Sequence, residues 1–191
     1  MALPAELGVE ERRFIYTWFS NLLGRELSDE QLQSLQAGTF EPFFAFMAEL
    51  GFEQQVANFQ QKLTVCTVAQ EYPRLELAAD YAELFLLEGA VSALPYASAY
   101  LDGEELERNL AQMDRYLERF QLAVNKQYNE PSDHLCVYLE VLNQLPENEQ
   151  TAFIQQQLLP WLTLFADKVN KVGGRTAFYP VVVNWLIDVL K

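Results

Sequence analysis

Residues 11–24, "ERRFIYTWFSNLLG", show the apolar repeat that indicates the fold class of this chain. Large apolar side chains recur every three or four residues, a spacing that places them on one face of an α-helix. Gly24 follows the last of them, where glycine often ends a helix. The segment therefore predicts an amphipathic helix with one apolar stripe, formed by Phe14, Ile15, Trp18, Phe19 and Leu22.

The same helical period recurs along almost the whole chain. Thr39 and Pro42 predict the start of one helix, and the pattern from Phe52 predicts another that runs to about Tyr72, just before Pro73. Pro160 predicts a kink inside a long helix. Because no segment shows the alternation of a strand, the sequence predicts an all-α bundle of about nine or ten helices.

Two packed halves are expected within this bundle. Residues 1–128 form the N-terminal half and residues 129–191 the C-terminal half, joined by the polar connector "NKQYNEPSDH". Half of the 191 residues are apolar, which is enough to bury a substantial core.

The net charge of the chain restricts the kinds of partner that it can bind. Its 27 acidic residues outnumber 13 basic ones, for a formal net charge of -14. That charge opposes the phosphate backbone, so we expect no nucleic-acid partner. An acidic surface suits a basic partner instead.

The sequence shows no pattern typical of a signal peptide or of a membrane-spanning segment. The start, "MALPAELGVEERRF", lacks the apolar run of a signal peptide, and "YPVVVNWLIDVL" is too short to span a membrane. Cys66 and Cys136 lie in apolar helical contexts, as reduced buried thiols do. These features predict a cytoplasmic protein without stable membrane insertion.

The motifs of metal and nucleotide chemistry are missing. One histidine and two distant cysteines cannot form a tetrahedral zinc site. The segment "KVGGRT", residues 171–176, lacks the lysine spacing and the preceding strand of a phosphate loop, and is interpreted as a helix end. We expect no metal and no cofactor.

Two stretches in the middle of the chain suggest a surface role. Glu76, Asp80 and Glu83 recur at helical spacing, which predicts a solvated acidic face, with a docking stripe as the alternative. The segment 88–104 is punctuated by glycine and proline yet carries large apolar side chains, including Tyr96 and Tyr100. Such a loop must pack on the protein or bind a partner.

The segment "NEPSDHLC", residues 129–136, contains the one histidine and allows three interpretations. Ser132 fits an N-cap, with Asp133 and His134 in the first helical turn. Alternatively, Glu130 and Asp133 form an acidic pocket for an arginine-rich ligand, with His134 beside them. An acid–base pair is disfavoured because adjacent helical residues point about 100° apart. We therefore expect no enzyme.

Two blocks carry a family resemblance: "LAADYAELFLLEGAVSALPYASAYLDGE", residues 77–104, and "EPSDHL", residues 130–135. Together they resemble the TorD family of redox-enzyme maturation chaperones, which includes the DmsD and NarJ types, and the TorD type most closely. The resemblance implies a cytoplasmic chaperone that binds the twin-arginine signal peptide and the body of a molybdenum-containing oxidoreductase. It would hold that enzyme back from export until the cofactor is in place. For TorD types the client is trimethylamine N-oxide reductase.

The resemblance also implies where the signal peptide binds. Glu130 and Asp133 would pair with the arginines, while aromatic and leucine side chains would cover the apolar stretch. The implied site consists of Tyr81, Leu84, Phe85, Pro95, Tyr96, Pro131, Asp133 and His134, and the acidic pocket described above adds Glu130 to the expected binding residues.

The oligomeric state and the alternatives follow from the same segments. The resemblance implies that the C-terminal half exchanges between subunits at a hinge near residues 125–134, so we expect both a monomer and a domain-swapped homodimer. A helical-bundle adaptor or regulatory protein, which binds a partner helix without recognising arginines, is the alternative function. An enzyme that uses His134 would instead consume a small molecule.

Overall fold

The computed structural model describes residues 3–4, 7–68, 70–87, 89, 91–122 and 132–191. Within these ranges the chain forms helices and no strand beyond one isolated bridge, which confirms the predicted all-α class. None of the described helices is long and apolar enough to cross a lipid bilayer. The α-helices are α1 (Val9–Leu23), α2 (Asp29–Gln36), α3 (Glu41–Met47), α4 (Glu53–Val68), α5 (Pro73–Tyr81), α6 (Gly103–Arg119), α7 (Leu135–Gln144), α8 (Glu147–Phe153), α9 (Leu159–Val172) and α10 (Phe178–Leu190).

Two compact units share these helices. The first unit consists mainly of Arg25–Ala93 and Lys168–Lys191, and the second mainly of Glu6–Gly24 and Leu94–Asp167. This division differs from the predicted halves at 1–128 and 129–191. The predicted hinge near 125–134 falls mostly outside the described residues, so exchange of the C-terminal half stays a prediction.

An aromatic cluster fills the core of the first unit. The ring of Phe59 on α4 lies 5.5 Å from that of Phe178 and 5.8 Å from that of Trp185, both on α10. Tyr179, also on α10, lies 5.5 Å from Tyr81 and 5.4 Å from Phe85. Burial of such large rings supplies much of the energy of a helical core, and edge-on pairs add to it.

The second unit is built around the contact between α1 and α7. Of the predicted stripe on α1, Ile15, Trp18, Phe19 and Leu22 are buried, whereas Phe14 is 51% exposed. Polar contacts fix the pair: Asn143 donates from Nδ2 to Thr17 Oγ1 at 3.2 Å, and Arg13 donates from Nε to the Asn143 carbonyl at 3.0 Å. The buried face of α1 is thus narrower than the apolar stripe that its sequence predicts, because Phe14 lies outside it.

Two predicted helix limits are wrong. Helix α3 begins at Glu41 after Phe40, not after a Thr39 cap, and α4 ends at Val68, not near Tyr72. Tyr72 is instead the residue before α5, with φ -129° and ψ 68°, because Pro73 excludes helical geometry at the preceding position. The reversal between α4 and α5 therefore uses several residues that the apolar pattern assigned to the helix.

Pro160 lies next to a π-helical turn, Ile154–Leu158, that separates α8 from α9. The Leu159 N–H bonds to the Ile154 carbonyl, five residues back. A proline lacks the N–H that would continue the normal ladder and crowds the preceding turn, and a π turn is one way a helix accommodates such a break. The normal helical ladder is therefore interrupted just before Pro160, and the kink at Pro160 stays a prediction.

Asp80 on α5 corrects the prediction of a solvated acidic face. Its side chain is fully buried and accepts hydrogen bonds from the Arg175 N–H at 2.8 Å and from the Thr176 N–H at 3.2 Å. The Thr176 hydroxyl donates to the same carboxylate. Asp80 therefore holds the loop between α9 and α10, whose amides become its partners only in the folded unit.

Candidate functional site

A short antiparallel bridge in the second unit joins the two blocks that the sequence singled out. Tyr96 pairs with His134: the Ala97 N–H donates to the Asp133 carbonyl at 3.0 Å, and the Leu135 N–H donates to the Pro95 carbonyl at 2.8 Å. We call Pro95, Tyr96, Asp133 and His134 the bridge cluster. The fold thus brings together four of the residues predicted to bind the signal peptide.

The Asp133 carboxylate supports the bridge cluster from inside. Asp133 is only 5% exposed, and its Oδ2 accepts a hydrogen bond from the Ser98 N–H at 2.9 Å. Ser98 belongs to a 3₁₀ turn, Ala97–Ala99, whose free amide the carboxylate satisfies. Oδ1 receives no hydrogen bond from a described residue, so one carboxylate oxygen can accept another donor.

His134, not Ser132, is the N-cap of α7, which corrects the predicted helix start. Its backbone is extended, with φ -72° and ψ 141°, and its Nδ1 accepts a hydrogen bond from the Cys136 N–H at 3.1 Å. The bridge to Tyr96 holds this extended conformation, so Asp133 and His134 cannot enter the first helical turn. The imidazole takes the part that a serine hydroxyl usually plays.

The same hydrogen bond fixes the protonation of His134. Because Nδ1 accepts, the neutral ring carries its proton on Nε2. Burial lowers the pKa of His134 to about 4, while the neighbouring Asp133 carboxylate acts in the opposite direction. Burial dominates, so the imidazole is uncharged at neutral pH.

Tyr96 supplies the aromatic surface of the bridge cluster. Its ring centroid lies 5.1 Å from that of His134 in an edge-on arrangement. Tyr96 is half-buried, whereas Pro95 is buried. Within the bridge cluster, therefore, Tyr96 is the most exposed side chain.

The apolar loop before α6 packs on the protein, one of its two predicted fates. The Tyr100 ring lies 6.4 Å from Trp161 and 6.0 Å from Phe165, both on α9 in the same unit. Leu101 is also buried. Burial raises the pKa of Tyr100, whose hydroxyl finds no partner among the described residues. This packing fixes the loop that presents Tyr96.

The other predicted site residues are placed differently. Tyr81, Leu84 and Phe85 are buried in the core of the first unit, where Tyr81 and Phe85 pack against Tyr179. Their side chains are at most 2% exposed, and their binding role stays a prediction. Glu130 and Pro131 lie outside the described residues.

The geometry does not form an acid–base pair from Asp133 and His134. The carboxylate accepts from Ser98 and the imidazole Nδ1 accepts from Cys136, so each group is held by a backbone amide. Among the described residues, no group of three or more histidine, cysteine, aspartate or glutamate side chains could hold a metal ion. The arrangement is suited to recognition of a ligand by a carboxylate, a neutral imidazole and an aromatic ring.

Comparisons with known proteins identify relatives of this chain. The family model described as nitrate reductase delta subunit matches residues 47–167. A chaperone protein TorD from Actinobacillus succinogenes is 59% identical over 186 residues, which cover 95% of this chain and 96% of that protein. A chaperone protein TorD from Actinobacillus pleuropneumoniae serotype 3 is 55% identical, and the matched region covers 100% of this chain and 98% of that protein. A chaperone protein TorD from Pasteurella multocida is 52% identical, and the matched region covers 95% of this chain and 94% of that protein. These names denote a chaperone, which agrees with the expectation that the chain is not an enzyme.

Proposed function

The chain belongs to the TorD family of chaperone proteins, and on that premise we propose that it binds the twin-arginine signal peptide of a molybdenum-containing oxidoreductase. It also binds the body of that enzyme, in the cytoplasm, and holds it back from export until the cofactor is inserted. The proposed client is trimethylamine N-oxide reductase. The chaperone itself needs no cofactor and performs no turnover.

The bridge cluster is the observation that supports this proposal. It combines a carboxylate that has one uncommitted oxygen with a neutral imidazole and a half-buried aromatic ring. An arginine guanidinium donates to a carboxylate and stacks on an aromatic face, so both groups fit the same ligand side chain. The net charge of -14 favours the approach of a basic peptide.

The direct test is a calorimetric titration with two peptides. One carries a twin-arginine motif and its apolar tail, and the other has both arginines replaced by glutamine. We expect at least about tenfold weaker binding of the glutamine peptide, because a lost charge-assisted pair in a desolvated site costs more than 1.4 kcal/mol.

The other outcomes discriminate between functions. Equal binding of both peptides would place recognition in the apolar tail and favour the adaptor that docks a partner helix without arginine recognition. Binding of neither peptide would contradict the signal-peptide function.

Substitution of Tyr96 separates the ring from its hydroxyl. Tyr96→Ala removes the surface that packs on His134, and we expect about tenfold weaker binding of the twin-arginine peptide. Tyr96→Phe keeps the ring and should bind within about twofold of the unchanged protein. Calorimetry measures both, and circular dichroism checks that each variant remains helical. Equal affinities of Tyr96→Ala and the unchanged protein would remove Tyr96 from the site.

A further inference from the structure

We propose that the first unit carries a second docking surface, a groove that takes an acidic, amphipathic segment of a partner protein. The groove encloses about 680 Å³, and its lining includes Leu84, Val91, Lys168, Lys171 and Val172. We call it the lysine groove. It lies wholly within the first unit and shares no residue with the bridge cluster. Leu84, which also belongs to the implied signal-peptide site, is fully buried, so this inference rests on Val91, Lys168 and Lys171.

The shape and the apolar surroundings of the lysine groove suit a protein segment. Its volume falls within the range of roughly 300 to 1,000 Å³ that is typical of ligand sites, enough for one or two large side chains. Val91, which lines the groove, is 65% exposed. Leu86 and Leu87 follow the lining residue Leu84 in the chain and are 55% and 50% exposed. Clustered exposed apolar side chains mark interaction surfaces more often than single ones do.

The lysine groove carries positive charge on an acidic chain. Lys168 and Lys171 have no carboxylate of a described residue within ion-pair distance. Six arginines of the described part are paired with carboxylates: Arg12, Arg13, Arg74, Arg108, Arg119 and Arg175. Glu83 also lines the groove, but the Arg175 guanidinium donates to both of its oxygens at 2.8 Å. The charge left without a partner is therefore positive.

The helix dipole explains only part of this arrangement. Lys171 lies in the last turn of α9, where a cation is favoured by the dipole. Lys168 lies one turn earlier, at the spacing that puts two side chains on the same helix face. Two ammonium groups on one face match carboxylates spaced three or four residues apart on a partner helix.

Hydrogen bonds hold the walls of the lysine groove in place. The Leu84 carbonyl accepts the Ala93 N–H at 2.6 Å, which ties the segment containing Val91 back to the π-helical turn Ala82–Leu86 that follows α5. Gly174 has φ +64°, and a methyl group there would lie 2.9 Å from Leu84 Cδ1 and would collide with Asp80 Oδ1. A groove that is already formed loses little conformational entropy when a ligand binds.

These features favour an acidic protein segment over a lipid surface. A planar membrane cannot enter a groove, and the net charge of -14 repels anionic lipids at long range. The expected ligand has leucine-like side chains that fill the apolar floor and carboxylates that pair with Lys168 and Lys171.

The test uses a fluorescein-labelled helical peptide with leucines along one face and glutamates beside them. We expect fluorescence anisotropy to show binding with a Kd on the order of 10 µM, at least tenfold weaker with Lys168→Glu/Lys171→Glu. The matched control, Arg25→Glu/Lys191→Glu, makes the same charge change at two exposed residues of the same unit and should bind within about twofold. Val91→Asp, an exposed position in the groove, should weaken binding as the lysine pair does.

Several results would overturn the inference. One is no binding of the peptide at about 1 mM, and another is unchanged affinity of the lysine double variant. A third is an equal loss of affinity in the control pair, which would indicate that only the net charge of the protein matters. Vesicles of phosphatidylserine and phosphatidylcholine that sediment with the unchanged protein and not with the lysine variant would assign the groove to a membrane surface instead. The twin-arginine peptide should bind the lysine variant normally, which keeps failure of this inference distinct from failure of the signal-peptide function.

Discussion

Asp80→Ala is expected to lower the free energy of unfolding by about 3 kcal/mol. The substitution removes a buried carboxylate that accepts hydrogen bonds from the Arg175 and Thr176 amides and from the Thr176 hydroxyl. These donors would be left without partners in the folded protein, whereas water satisfies them in the unfolded chain. Urea unfolding followed by circular dichroism measures the change, which should appear as a lower midpoint with an unchanged slope.

Two further variants show whether the buried hydrogen bonds cause this effect. Glu83→Ala removes only the exposed pair with Arg175 and should shift the midpoint far less. Asp80→Asn keeps one acceptor oxygen but replaces the other with an NH₂ group, which faces the N–H and O–H donors of residues 175 and 176. Its unfolding midpoint should therefore lie between those of the alanine variant and the unchanged protein. A shift for Asp80→Ala no larger than that for Glu83→Ala would contradict the role assigned to Asp80.

Acidification should destabilise the protein through His134. The pKa of the buried imidazole is about 4, below its ordinary value of 6.5 in the unfolded chain, so the unfolded state binds the proton more readily. The stability is therefore fully present above pH 6.5 and is lost progressively as the pH falls toward 4. The difference between the two pKa values corresponds to roughly 3 kcal/mol.

His134→Asn isolates this contribution. Asparagine is a good N-cap whose side-chain oxygen can accept the Cys136 N–H, but it does not titrate. Other carboxyl groups titrate in both proteins, so the informative quantity is the difference between their unfolding free energies across the pH series. The unfolding free energy of the unchanged protein minus that of His134→Asn should fall by roughly 3 kcal/mol between pH 6.5 and 4. Parallel curves would show that His134 is not held neutral by burial.

The helices and the core were predictable because their pattern is local. Ile15, Phe19 and Leu22 are buried as the helical repeat indicates. Phe14 shares the repeat but lies at the margin of the stripe, and the width of a contact depends on the partner helix, which the repeat does not contain. The isolated sequence of α5 likewise predicted solvent for Asp80, whose partners lie 95 and 96 residues away.

The site was predictable only in part. The two sequence blocks pointed to Pro95, Tyr96, Asp133 and His134, and the fold joins them through a bridge that no local pattern indicates. The same bridge moved the helix start to His134, because an extended backbone there excludes a cap at Ser132. The buried residues Tyr81, Leu84 and Phe85 follow one apolar stripe, and a stripe that binds a ligand has the same period as one that packs in a core.

Binding at the bridge cluster can be followed in a two-dimensional ¹H–¹⁵N spectrum recorded while the twin-arginine peptide is added. The Ser98 and Cys136 amides donate to Asp133 Oδ2 and His134 Nδ1, so their resonances report on the carboxylate proposed to pair with an arginine and on the imidazole beside it. The Arg175 and Thr176 amides, bonded to Asp80 in the other unit, serve as internal references. We predict that Ser98 and Cys136 shift in proportion to bound peptide while the reference amides stay in place. Saturation of the protein with peptide while Ser98 and Cys136 remain unshifted would contradict binding at the bridge cluster.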